Sequence, residues 1–341
     1  MKNLFLATLL IPFSYSFSEP LIILNWADYF DPEVLIEFTE KTGIEVKEIY
    51  YASDQARDEV MTDSAGQGYD LIIMDGLSID NYSRQGWLEP IAVTKLPHLN
   101  HIDVRWKNSF KASKEYAIPY FWGTIGIAYR KDLVSIPITH WQQIFNPIAE
   151  LQGKITMTSS AREVVSASLK SLGYSSNSTN KNEFSEALNV MKKQSPYVNN
   201  YIGVDLDETS ALLSGESIAA MMYSGDALML QELNNNIEYV LPEEGSNIWV
   251  DFITVSAHSQ QKENAWLFIN FINQPKIAAQ LANYVYCASP NKEARKLLDQ
   301  EFLTNPTIFP NDKILSQSEF FQPLPARTLK KLTKSFQQLV N

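Results

Sequence analysis

A chain of 341 residues with a formal net charge of −11, of which 45% are hydrophobic, has the composition of a folded globular protein and the wrong sign of charge for a nucleic-acid partner. Its length exceeds what one compact core accommodates and suits two lobes. The single cysteine, Cys287, excludes an intramolecular disulfide, so stability has to come from packing.

At the start of the chain, Lys2 precedes an apolar run from Leu4 to Phe13 and then the small residues Ser16 and Ser18. That is the pattern of a secretory signal peptide cleaved near Ser18; Pro12 breaks the run short of the roughly twenty apolar residues a membrane span needs. No cysteine stands at the cleavage site to carry a lipid, so the expected product is a soluble periplasmic protein with no membrane anchor.

From Leu21 onward, short β-rich runs alternate with helical stretches, the signature of an α/β fold. Leu21 to Leu24 reads as a strand. Asp31 can cap a helix that has Pro32 at its first position, and Gly43 is placed to end it. A strand over 44–50, a helix to about Ser64 and a buried strand over 69–74 complete a β-α-β-α-β unit. Gly66 and Gly68 precede a strand instead of opening a helix, which argues against a phosphate loop.

Ligands in such folds sit beyond the carboxyl ends of strands, so the residues following each run carry the functional reading. Trp26 and Tyr29 follow the first strand, and Asp75 follows the strand ending at Met74. Tyr120, Phe121 and Trp122 lie where a first lobe hands over to a second. Glu163 comes after a predicted strand over 155–158, Tyr223 and Asp226 after one over 218–222, and Trp249 and Asp251 open a further apolar strand.

Aromatic and acidic residues thus recur together in both halves of the chain. Carboxylates satisfy ammonium groups, and the faces of Trp and Tyr attract cations while shielding a methylene stem from water. The combination suits an alkyl diamine.

Simpler readings compete at several positions. Trp26 and Trp249 could be core aromatics. Ser160-Ala161-Arg162-Glu163 spells a capping box, Asp226 could be the N-cap of a helix from Ala227, and Asp75 could be a turn residue before Gly76. Asp251 lies between Val250 and Phe252, where an unpaired buried carboxylate is costly, so a cationic partner is expected there, either a ligand or an internal Lys or Arg.

Catalysis finds little footing. No Gly-x-Ser-x-Gly elbow, His-Glu-x-x-His helix or nucleophile with a placed base occurs, so a secreted hydrolase is the weakest alternative. His98 and His101 have metal-pair spacing but no third ligand, so no metal and no cofactor are expected.

The chain also resembles the periplasmic spermidine/putrescine-binding proteins over nearly all of its length after the leader. The matching segments are Asn25-Trp26-Ala27-Asp28-Tyr29, Thr42-Gly43-Ile44, Tyr69-Asp70-Leu71, Ile118-Pro119-Tyr120-Phe121-Trp122-Gly123, Ala161-Arg162-Glu163-Val164, Lys170-Ser171-Leu172-Gly173-Tyr174, Pro242-Glu243-Glu244-Gly245, Trp249-Val250-Asp251, Ile269-Asn270-Phe271-Ile272 and Ser289-Pro290-Asn291.

The resemblance implies an α/β fold of the type II periplasmic binding protein class, two lobes each with a central mixed β-sheet flanked by helices. Lobe one would comprise residues 19–124 and 250–296, and lobe two residues 125–249 and 297–341. By the same resemblance the ligand lies between the lobes, walled by Trp26, Tyr29, Tyr223 and Trp249. Asp251 looks like the main carboxylate for an amine, Glu163 a second acidic contact, Gln322 a polar contact near the C-terminus, and Asp226 a feature of the putrescine-specific relatives.

Ser160, Asp75, Leu77, Cys287 and Ala27 depart from the pattern, with a serine usual where Asp75 stands, and these departures bear on the preferred chain length. The expected function is reversible capture of a polyamine by lobe closure and delivery, as a monomer, to the permease subunits of an ABC importer. The alternatives are another small cationic or amino-acid-like solute, and a sensory subunit that binds identically.

Overall fold

The protein is described by a computed structural model over residues 19–340, so the leader expected at 1–18 lies outside the described residues. β1 (Leu21–Asn25), β2 (Val46–Tyr50) and β3 (Leu71–Asp75) alternate with α1 (Pro32–Thr42) and α2 (Asp54–Asp63), and α3 (Gly76–Arg84) follows. Local chemistry starts and stops α1 as predicted. The Asp31 side chain accepts the Glu33 N–H, Pro32 sits where an N–H would have no helical partner, and Gly43 turns to φ 72° while its N–H bonds the Thr39 carbonyl. The three strands pair in parallel in the order β2-β1-β3.

β4 (Ala117–Arg130) goes furthest beyond the sequence reading, which has Tyr120, Phe121 and Trp122 only where a first lobe hands over to a second. It is one fourteen-residue strand, buried along all but its last residue. Its first half pairs antiparallel with β9 (Asn247–Val255). Its second half pairs antiparallel with β7 (Ala219–Tyr223) and β8 (Ile237–Val240). A register shift between Pro119 and Phe121 marks an irregularity where a residue without an N–H can be tolerated.

β5 (Ile155–Thr156) runs parallel to β6 (Val198–Asn200) and β7, and β10 (Glu319–Phe320) runs parallel to β9. The result is a mixed sheet that continues from one half of the molecule into the other through β4.

Two large apolar clusters flank that continuity. The first gathers β1, β3, β9, α1 and the helices Lys262–Ile272 and Pro275–Val285; the second gathers Ile125, Ile127 and Tyr129 from the far half of β4 with the helices Ala161–Ser171 and Lys181–Gln194. Late in the chain, Leu298, Phe302, Ile308 and Leu315 join the first cluster, whereas Leu332 and Phe336 join the second. Trp249, half-buried, packs against both. Among the described residues no helix is long and apolar enough to cross a membrane.

Candidate functional site

Asp251 lies inside β9, directly opposite Asp75 of β3 on one side and Phe121 of β4 on the other. Strand alternation buries Val250 and Phe252 and turns Trp249 and Asp251 to the other face. The Tyr29 hydroxyl donates to Asp251 Oδ2 at 2.9 Å, and no Lys or Arg among the described residues pairs with this carboxylate. Burial pushes its pKa up to about 7; the Tyr29 hydrogen bond opposes the shift, while the charges of Asp54 and Asp75 add to it. The internal Lys or Arg partner that the sequence left open is therefore absent here.

Three further candidates come from the second half of the chain. Ser160 caps the helix Ala161–Ser171 by accepting the Glu163 N–H, but the Glu163 carboxylate does not return to the cap as a full capping box requires. Instead Oε1 accepts from the Tyr223 hydroxyl at 2.5 Å and Oε2 from the Thr158 hydroxyl at 2.9 Å. Burial raises the Glu163 pKa against the pull of those two donors.

Tyr223 ends β7, is 37% exposed, and sets its ring edge-on to Trp249 with centroids 6.1 Å apart. Gly123 makes room for that tryptophan: a Cβ there would lie 2.5 Å from the indole.

Asp226 is not the helix N-cap that the simpler reading has. The helix Ser224–Leu233 begins two residues earlier, with Tyr223 at the cap position, so Asp226 sits in its first turn. No ion pair reaches it among the described residues. Burial, with the Glu163 charge adding, lifts its pKa to about 7.

In the first half of the chain, Trp26 follows β1 and packs on Tyr51 with centroids 4.4 Å apart. Tyr29 meets Tyr120 and Phe121 edge-on, each at 5.5 Å. Asp75 has the turn role weighed for it, because its carboxylate caps α3 by accepting the N–H groups of Leu77 and Ser78. It also pairs with Arg57, Nη2 to Oδ2 at 3.0 Å. Gln322 is exposed; its backbone bonds Asn177 and Arg162, which ties it to the start of the helix that carries Glu163.

Sequence reasoning missed Asp54, Arg57 and Tyr51. The strand-end rule, applied to β2, points to Tyr51 and Asp54, which follow it directly; nothing in the sequence marks Arg57 out from an ordinary solvated helix face. The Asp54 pKa rises to about 6 through partial desolvation of a side chain that stays 59% exposed and through the Asp75 charge, with Arg57 pulling it back. Its charge in turn acts on Asp251, Glu163 and Tyr223, so both halves of the site lie within mutual electrostatic reach. Among the described residues no group of three or more His, Cys, Asp and Glu could hold a metal ion.

Residues 33–310 match the family described as bacterial extracellular solute-binding protein. The chain is 31% identical over 299 residues to the spermidine/putrescine-binding periplasmic protein of Escherichia coli K12, covering 87% of this chain and 84% of that one. It is 28% identical over 335 residues to a putrescine-binding periplasmic protein of Pseudomonas aeruginosa, covering 93% and 90%. A crystal structure of the substrate-binding protein of a spermidine/putrescine ABC transporter from Streptococcus pneumoniae superposes with a TM-score of 0.85 at 30% identity, covering 94% of this chain and 98% of that one.

Proposed function

The chain belongs to the bacterial extracellular solute-binding proteins, and from that premise we propose that it captures a polyamine between its two lobes and passes it to an ABC importer. The observation that carries this reading is a pair of half-buried carboxyls, Asp251 and Asp226, with raised pKa values and no Lys or Arg ion-paired to either among the described residues. A carboxylate held in a low-dielectric site without a counter-charge favours protonation or an incoming cation. Trp26, Tyr29, Tyr223 and Trp249 supply ring faces for the ammonium groups and apolar cover for the methylenes between them.

Asp251 takes one ammonium, and Asp226 with Glu163 the other. Tyr29 and Tyr223 orient the carboxylates that receive them. Asp75 contributes charge through Arg57, and Gln322 lies at the rim. The lobes are residues 19–124 with 250–296, and 125–249 with the C-terminal return; the packing of Leu298, Phe302, Ile308 and Leu315 supports extending lobe one to residue 315. Closure moves them about β4 and β9, and the closed face of both lobes is what the permease reads. The working place is the periplasm, as it is for the Escherichia coli and Pseudomonas aeruginosa relatives named above. No bond is made or broken.

Calorimetric titration of protein refolded free of ligand, with putrescine, cadaverine, spermidine, spermine and amino-acid controls, tests the reading. Saturable binding of at least one amine, with none of the amino acids, is expected. Saturation by an amino acid with no amine response would transfer the site to a different solute.

A further inference from the structure

Arg57 is a wholly buried guanidinium directly behind the cleft wall. Its Nη1 reaches Asp54 at 2.6 Å, and its Nη2 reaches Asp75 and Asp58, each at 3.0 Å. The rings of Tyr51 and Tyr82 lie beside it, their centroids 5.6 Å and 5.8 Å from its central carbon, and its Nε donates to the Tyr82 hydroxyl at 3.3 Å. Tyr51 is the ring on which Trp26 packs, and Asp75 stands across the sheet from Asp251. The guanidinium is thus one residue removed both from the aromatic wall and from the amine-binding carboxylate.

Without Arg57, Asp54, Asp75 and Asp251 would present three adjacent carboxylates at the lobe-one end of the cleft. With it, two of them are already matched. The side chains of Asp54 and Asp75 keep 59% and 30% of their exposure, so a solute could reach them if the internal cation were removed.

We propose that Arg57 is a resident cation that sets ligand length: it occupies electrostatically the place of a third ammonium and tunes the cleft to a short diamine over a triamine. This rests on the polyamine reading given above. A diamine needs one anionic group at each end, which Asp251 and the Glu163–Asp226 side supply. A triamine needs a third anionic group, and the carboxylates that could serve are held by a charge that also repels the extra ammonium.

The test compares binding of putrescine and spermidine, by calorimetry at fixed ionic strength, across four proteins whose folding is checked by thermal unfolding. Wild type should prefer putrescine. Arg57→Met should improve spermidine relative to putrescine by tenfold or more, because Asp54 and Asp75 become available. Asp75→Ser should move the ratio the other way, because Arg57 then has fewer carboxylates to neutralise it. Arg57→Lys should keep the wild-type order.

The opposite signs of the first two variants separate an electrostatic role from a merely structural one, which would weaken both ligands alike. If Arg57→Met is unstable, the Asp75→Ser ratio alone still decides. An unchanged ratio in the folded variants, with wild type still binding amines, overturns the role of Arg57 and leaves the polyamine reading intact. Failure of wild type to bind any amine overturns both.

Discussion

A carboxyl group is informative when its surroundings neither hydrate nor neutralise it. Asp251 and Asp226, half-buried and without an ion-paired Lys or Arg among the described residues, come near that description, and their pKa values of about 7 compare with 3.8 for an unperturbed aspartate. A folded-state pKa raised above the unfolded value contributes stability that is present at low pH and lost as pH rises through the folded value. The empty protein should therefore lose thermal stability between about pH 4 and pH 7 by way of these two groups, and Asp251→Asn should flatten part of that slope. A bound diamine pulls both carboxyls back to the ionised form. Binding at pH 6 should release protons, visible as a dependence of calorimetric enthalpy on buffer ionisation heat, and affinity should rise toward pH 8 before levelling off.

Asp251→Ala removes a charge-assisted hydrogen bond of about 1.5–3 kcal/mol and should weaken amine binding about ten- to a hundredfold while the fold is retained. Wild-type affinity in that variant would remove the residue from its role. Asp251 was legible because a carboxylate between Val250 and Phe252 demands a partner. Arg57 was not, because a guanidinium on a charged helix looks solvated until Asp54, Asp58, Asp75, Tyr51 and Tyr82 are folded around it.

Elements differ in how much of their conformation is decided nearby. α1 is bounded by Asp31, Pro32 and Gly43 within its own turn, so its limits could be read directly. β4 could not be, since Pro119 and two glycines interrupt what reads as a continuous run, and its two sets of partners, β9 and β7 with β8, lie far along the chain. The strand-end rule picked out Trp249 and Asp251 as candidates and set them at the opening of a strand, whereas they stand in the interior of β9.

Gly123 sits where β4, Trp249 and Ser224 come closest, with the Ser224 Oγ only 2.8 Å from where a Cβ would be. Gly123→Ala should cost about 1–3 kcal/mol by overpacking and displace Trp249. The expected signature is a lowered melting temperature, altered tryptophan emission and weaker ligand binding; a variant with unchanged affinity would separate Trp249 from the ligand wall.

At the scale of the molecule, each half has its own apolar cluster, and Trp249 packs against both. Composition and the alternation of elements were enough for the α/β class and for two lobes. The exact return of the C-terminal stretch was not, because short helices with few apolar residues can pack on either side. A ligand that bridges the halves should shift the closed form in population and stabilise the native state by about 2.7 kcal/mol at a hundred times its dissociation constant. Small-angle scattering should register a smaller radius of gyration with the preferred amine than without it, and no change with a non-binding amino acid.

One strand that carries a single sheet from one half of the molecule into the other has an implication for redesign. Its first eight residues are ladder partners of β9 and the remainder of β7 and β8, so a cut anywhere in it strands exposed amides on both sides. Excising either half would leave the other half's ladder open, so a change of ligand preference disturbs this scaffold least when it is made at single side chains.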